Sequence, residues 1–259
     1  MRPAGSKAKA TWPPAKAAAR YTPKSNTPSS QTSNTLVLSR WEQRSIRSLL
    51  APRIVSYGAS IKGEEHKENE DTILVEDKLG LYAVADGVTM PYGGGPASRL
   101  AISSLRSLFK GDLAETIPQV NRTVLEEKKK SPGIGSSTLT AAQVTDGSVR
   151  IAHAGDSSAF LIRENAMILK TASQNREGFL TNTIGEYFEG ATLYNKEMKS
   201  GDYLILATDG VTAVLNDDEI ADIVTRQKEP KKIVEYSLRE IGRRPRQYRD
   251  DRSMVVVGI

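Results

Sequence analysis

Leu81-Tyr82-Ala83-Val84-Ala85-Asp86-Gly87 is an apolar run of strand length that stops at an acid and a glycine. Leu204-Ile205-Leu206-Ala207-Thr208-Asp209-Gly210 repeats the arrangement. Asp156, next to Gly155, closes the apolar run 149–154. Asp250 and Asp251 stand just before the run 254–257, and Glu70 and Asp71 just before 73–75. Five apolar strands therefore each meet an acid at one end. Acids at strand ends can converge above a sheet core. Clustered carboxylates repel and raise one another's pKa, and a hard divalent cation removes that conflict. Two such ions about 3.5–4 Å apart are a common means of activating water against phosphate. An Asp beside a Gly is also an ordinary turn signal. Five strands that each meet an acid, three of them with a glycine beside it, favour the metal site.

Working outward, the spacing predicts strands at 54–61, 72–76 and 81–85, with a turn at 77–80. A helix over 96–109 puts Ala97, Ala101, Leu105 and Leu108 on one face, and 113–130 is a second helix. Gly133 and Gly135 then break the chain. Strands follow at 138–144, 148–154, 158–163 and 167–170, with Asp146-Gly147 as a hairpin turn between the first two. Residues 172–190 read as a loop and 204–207 as a buried strand. Asn216 with Glu219 is a capping-box pattern, and Pro230 opens a last helix with Val234, Leu238 and Ile241 on one face. A strand at 254–258 ends the chain. This order lacks regular βαβα alternation. It predicts an α+β architecture, antiparallel sheets with helices packed outside.

Composition excludes several chemistries. The 259 residues contain no cysteine and two histidines, His66 and His153. Thiolate nucleophiles, disulfides and Cys-based zinc or iron–sulfur sites are excluded, and a His-rich metal site or a Ser-His-Asp triad is disfavoured. A metal would have to be held by carboxylates, which points to Mg²⁺ or Mn²⁺. No apolar run approaches the ~18–20 residues that cross a bilayer.

Net charge is +5 but uneven. Residues 1–50 hold nine Lys/Arg and one acid, Glu42, which leaves −3 for residues 51–259. The basic balance belongs to the tail, so specific nucleic-acid binding is not expected of the domain. Residues 1–35, rich in Ala, Pro, Ser, Thr and Lys, read as a disordered basic tail. The composition also suits an organellar transit segment, and there is no secretory h-region. Residues 36–50 suit a short docked helix. The expected division is thus 1–50 as tail or targeting segment and 51–259 as domain, with a cytoplasmic location and organellar import as the alternative. The tail could contact acidic partners, nucleic acid or a membrane surface.

Six blocks in order resemble the metal-dependent protein phosphatases of type 2C, the PPM family, in its bacterial form. They are Asn69-Glu70-Asp71; Val84-Ala85-Asp86-Gly87 with Gly93-Gly94-Gly95 and Ala97-Ser98; Gly135-Ser136-Ser137-Thr138; Ala152-His153-Ala154-Gly155-Asp156-Ser157; Leu204 to Val211; and Asp250-Asp251-Arg252-Ser253-Met254. The resemblance covers residues 54–259. It implies a four-layer αββα sandwich of two antiparallel sheets, and hydrolysis of phosphoserine and phosphothreonine in phosphorylated proteins. It further implies that Asp86 bridges two Mg²⁺ or Mn²⁺ ions, with the Gly87 carbonyl on one of them. Asp209 and Asp250 would complete the first site, Glu70 and Asp71 would hold waters of the second, and Asp156 would help bind a weaker third ion. A hydroxide bridging the metals would attack phosphorus in line.

The chain departs from the family pattern in places. Many members carry Arg where His66 stands, to grip the phosphate; His66 reads either as that contact or as a surface histidine, with Lys62 and Lys67 nearby. Val88 replaces a His found in eukaryotic members, Ser158 an Arg, and Asp251 the usual Asn after the ligand Asp250. His153 reads as a core histidine with its hydrogen bonds satisfied. The loop 172–190 stands where the family has a substrate-facing flap. These departures motivate an alternative, a weak or inactive pseudophosphatase acting as a binding module.

Overall fold

The computed structural model describes residues 54–259 apart from 65, 89–91, 146 and 245–249, together with Ser39. The tail and the helix expected over 36–50 lie outside the described residues, Ser39 aside, as does Asp146 of the expected hairpin turn. In chain order the strands are β1 (Val55–Ile61), β2 (Thr72–Glu76), β3 (Leu81–Ala85), β4 (Leu139–Thr145), β5 (Ser148–Ala154), β6 (Ser158–Arg163), β7 (Ala166–Lys170), β8 (Asn175–Arg176), β9 (Phe179–Leu180), β10 (Thr192–Glu197), β11 (Tyr203–Ala207) and β12 (Arg252–Gly258). The α-helices are α1 (Gly94–Leu108), α2 (Leu113–Lys130), α3 (Asp209–Thr212), α4 (Asp217–Gln227) and α5 (Pro230–Arg243).

Ten of these strands form two antiparallel five-stranded sheets, ordered β1-β12-β11-β6-β7 and β10-β5-β4-β3-β2. Side chains of successive strand residues point to opposite faces, and here both faces are covered. Tyr82 and Val84 of β3 meet Leu204, Leu206, Val255 and Val257 between the sheets. Leu81 and Ala83 turn the other way, onto Leu105, Leu113, Ile117 and Val120 of α1 and α2. Ile205 and Val256 face Ile220, Val224, Ile233 and Leu238 of α4 and α5. The resulting order is helix, sheet, sheet, helix. Double-sided burial explains why β3, β11 and β12 read as continuous apolar runs rather than alternating ones. Truncating a fully buried residue such as Leu206 to Ala would cost about 2–5 kcal/mol.

Local signals set the helix starts. Asp112 accepts from Ala114 N at 2.7 Å and caps α2. The Asn216–Glu219 capping box is formed in both directions, at 3.0 and 2.9 Å. Pro230 opens α5. Three features escaped the periodicity. The loop 172–190 contains the small β8–β9 hairpin. β10 is a strand because its backbone pairs with β5 at the sheet edge; its side chains are mostly exposed and carry no apolar alternation. A short helix, α3, begins directly at Asp209. No helix among the described residues is long and apolar enough to cross a membrane.

Register positions the site. Thr72 pairs with Ala85, Leu139 with Ala154, and Ala207 with both Ser158 and Met254. The acids that flank these residues therefore emerge at one end of both sheets.

Candidate metal centre

Each acid is delivered by a strand end and braced by its neighbours. The Asp86 backbone N donates to Thr138 Oγ1 at 2.9 Å, and its carbonyl accepts from Thr138 N and Ser137 Oγ, both at 2.8 Å. The Gly-Ser-Ser-Thr block is thus a clamp on Asp86. Gly87 is required by close approach: a Cβ there would stand 2.3 Å from the Gly94 carbonyl oxygen at the start of α1. Gly210 is equally constrained, since its Cβ would meet the Asp251 carbonyl oxygen at 1.9 Å. Backbone contacts this tight admit only glycine.

The electrostatics are those of unneutralised acids. Asp71 is buried; its Oδ2 accepts from Thr208 Oγ1 at 2.8 Å, while its Oδ1 is buried with no hydrogen-bond partner. Burial, with the charges of Asp251 and Asp209, pushes its pKa up to about 7 against the opposing bonds from Ser253 and Thr208. Burial raises Asp86 well above the usual carboxylate range, and the charges of Asp71, Asp209 and Asp250 add to it. Asp156 is raised by burial and by Asp209, opposed by a 2.9 Å hydrogen bond from Asn175. Asp250 is raised by burial and again by Asp209, opposed by the Asp251 backbone N–H and by His66. Asp209 thus perturbs all four of the others. Among the described residues, no Lys or Arg forms an ion pair with Asp71, Asp86 or Asp156.

The residues present fit a hard divalent cation. The donors are oxygens, the carboxylates repel one another, and one buried carboxylate oxygen has no partner.

The adjoining corner is different. Asp251 is almost fully buried. Its Oδ1 accepts from Gly63 N at 2.6 Å, and its Oδ2 from Glu70 N at 2.6 Å and His66 Nδ1 at 2.9 Å. His66 Nδ1 also lies 3.4 Å from Asp250 Oδ1, and Nε2 lies 3.9 Å from Glu70 Oε2. The His66 side chain is 13% exposed, so it is not a surface histidine. Burial lowers its pKa, but the Asp251 hydrogen bond and the charges of Asp250, Asp251 and Glu70 outweigh this and raise it above 6.5. Glu70 Oε1 accepts from Gly95 N at 3.3 Å at the start of α1. Glu70 therefore lies on the rim beside His66, while Asp71 lies inside the cluster. Lys62 Nζ is engaged with the carbonyls of Gly63 and His66, at 2.7 and 2.8 Å.

Away from the cluster, His153 is buried, bonded to Thr140 Oγ1 at 2.9 Å and to the Ala172 carbonyl at 3.0 Å. Burial lowers its pKa to about 4. It is the satisfied core histidine that the sequence indicated. Sequence reasoning missed Thr208 and Asn175. Thr208 adjoins Asp209 and holds both Asp71 and Ser253 N, a role visible only once the two sheets meet. Asn175 lies in a polar loop without any distinguishing pattern.

The profile of the family described as Stage II sporulation protein E (SpoIIE) matches residues 93–259. The chain belongs to this family, within the PPM (type 2C) phosphatases. Asp156, Asp209 and Asp250 fall inside the matched stretch of this PPM chain; Asp71 and Asp86 precede it and join the cluster through strand register. Over 208 residues the chain is 25% identical to the serine/threonine phosphatase stp of Listeria innocua serovar 6a, covering 64% of this chain and 81% of that one. The fold resembles the PPM Ser-Thr phosphatase MsPP from Mycobacterium smegmatis in complex with cacodylate, with a TM-score of 0.69 at 23% identity over 79% of this chain and 98% of that one. It also resembles the catalytic domain of the serine threonine protein phosphatase PstP in complex with 2 manganese ions, with a TM-score of 0.67 at 22% identity over 79% and 97%. These structural likenesses establish the PPM fold.

Proposed function

We propose that this PPM protein is a Mg²⁺- or Mn²⁺-dependent phosphatase that hydrolyses phosphoserine and phosphothreonine in phosphorylated proteins. The observation that carries this reading is the convergence of Asp71, Asp86, Asp156, Asp209 and Asp250, with Asp71 Oδ1 buried and unpartnered. Asp86, the Gly87 carbonyl, Asp209 and Asp250 would hold two ions, Asp71 and Glu70 would serve the second through waters, and Asp156 a weaker third. When bound, the ions supply a lowered pKa for water and positive charge opposite the phosphoryl oxygens.

The chain's own residues keep this donor set in place. Ser137 and Thr138 fix the Asp86 backbone. Thr208 orients Asp71 from the facing sheet. The Asp251 N–H holds Asp250 Oδ1 at 2.7 Å, and Asn175 holds Asp156 Oδ2. Such preorganisation spares the site any rearrangement as charge develops on the phosphoryl group. On this reading residues 51–259 form the phosphatase domain, with 1–50 a separate basic tail.

Hydrolysis of a phosphothreonine peptide in Mn²⁺, Mg²⁺ or EDTA, with Asp209→Asn in parallel, tests the proposal. Metal-dependent phosphate release that the substitution removes is expected. No release from folded protein under either metal overturns the reading, and release unaffected by EDTA does so too. Metal binding without release would indicate the pseudophosphatase.

A further inference from the structure

We propose that His66 and Asp251 act as one unit, a positioning pair that orients Asp250 for the metal centre and anchors Gly63 and Glu70, and that His66 is not a phosphate contact. The inference rests on the phosphatase reading for its catalytic consequence but on hydrogen bonding for the pair itself.

Three observations converge. His66 Nδ1 is committed to Asp251 Oδ2 at 2.9 Å, and the ring faces carboxylates on both sides, Asp250 at 3.4 Å and Glu70 at 3.9 Å. The imidazole is enclosed by three acids, its side chain 13% exposed, with Nδ1 committed to Asp251 and Nε2 facing Glu70. Asp251 is the hub of the corner. Its two oxygens accept from Gly63 N, Glu70 N and His66, so the start of β12 is tied to both ends of the link between β1 and β2, across the two sheets. Asp250 is then held on two sides, by the Asp251 backbone N–H at 2.7 Å and by the His66 ring at 3.4 Å.

The same geometry argues against an ion bound by His66, Asp250 and Asp251, although their ligand atoms lie within 4.8 Å of one another. Both Asp251 oxygens are already occupied by three N–H donors, so the corner coheres without a cation. It also explains why residue 251 is Asp. Each of its oxygens faces a donor, and an Asn amide would set its NH₂ against a backbone N–H. Two of the places where this chain departs from the type 2C pattern, 66 and 251, are thus bonded to each other.

The test uses the full chain and the variants His66→Ala, His66→Gln, Asp251→Asn and His66→Ala/Asp251→Asn. In EDTA, the melting shifts of the two single variants should exceed, when added, the shift of the double variant; additive shifts overturn the pair, and this readout stands whether or not the protein is a phosphatase. With Mn²⁺, His66→Ala should raise the half-saturating Mn²⁺ concentration by ~10–100-fold, the usual effect of losing an outer-shell partner. KM for a phosphothreonine peptide and inhibition by inorganic phosphate, both at saturating Mn²⁺, should stay within about twofold of the wild type. His66→Gln, which can still donate to Asp251, should recover most of the Mn²⁺ affinity. Loss of phosphate inhibition in His66→Ala with an unchanged Mn²⁺ requirement would overturn the proposal and make His66 a phosphate contact. A wild type that neither binds Mn²⁺ nor releases phosphate would refute the phosphatase reading and leave the melting cycle to judge the pair.

Discussion

Two groups of acids sit at the same end of the sandwich and are treated oppositely. Asp251 is almost fully buried, yet three N–H donors surround it. Asp71, a few residues from those donors in sequence, has one buried oxygen with no partner, and Asp86 is pressed by Asp71, Asp209 and Asp250. Burial alone does not separate a structural carboxylate from a metal-binding one. What separates them is whether the chain supplies the compensating donors. Where it does, the acid holds the fold together; where it does not, the acid is one to which the proposed function assigns a cation.

The largest effect should come from removing an acid of the uncompensated group. Asp86→Asn is expected to lower metal-dependent turnover by more than about 100-fold, beyond the loss typical of an outer-shell partner. The same substitution should raise the melting temperature in EDTA at neutral pH, because a buried carboxyl that must take up a proton on folding is gone. A variant that melts lower in both EDTA and Mn²⁺ would erase the distinction between the two groups.

The pH dependence sharpens the same comparison. Asp71 and Asp86 hold protons in the folded metal-free protein that the unfolded chain releases near 3.8. The Asp71 contribution to stability is therefore present at low pH and lost as pH rises through about 7, and that of Asp86 has the same sign. His153 has the opposite sign. Its folded pKa is about 4 against 6.5, so stability is lost as pH falls from 6.5 towards 4. Denaturant midpoints across pH 4–8, in EDTA and in Mn²⁺, separate the two. The acid contribution should appear in the difference between the curves, and His153→Gln should remove the acid-side loss from both. Identical curves with and without Mn²⁺ would contradict the account.

Smaller effects follow from the braces. Thr208→Val leaves both Asp71 Oδ2 and Ser253 N without the hydroxyl and should destabilise by about 1–3 kcal/mol in chemical denaturation. Asn175→Ala removes one more exposed hydrogen bond to Asp156. It should cost no more than about 1 kcal/mol and weaken only the lowest-affinity Mn²⁺ site in a titration.

Much of this was legible in the sequence. The apolar runs before Asp86 and Asp209 and after Asp251 are continuous because both faces of their strands are buried, and that pattern survives without any contact information. The capping box at Asn216 and Pro230 at the start of α5 are local signals and behaved as such. β10 was not legible, because pairing with β5 rather than its own side chains makes it a strand. The resemblance already set Asp250 as the ligand and Asp251 at the usual Asn position, but the bonds that Asp251 receives were not legible, since Gly63 and Glu70 arrive from far along the chain. The enclosure of His66 depends on the same long-range meeting.

Calorimetric titration of the metal-stripped protein with Mn²⁺, with Asp86→Asn alongside, asks whether the Asp71–Asp86–Asp209–Asp250 group binds divalent cations as proposed. Saturable binding of about two ions that Asp86→Asn abolishes is expected. Folded wild-type protein that shows no saturable binding, or a variant that binds as well as the wild type, would contradict it.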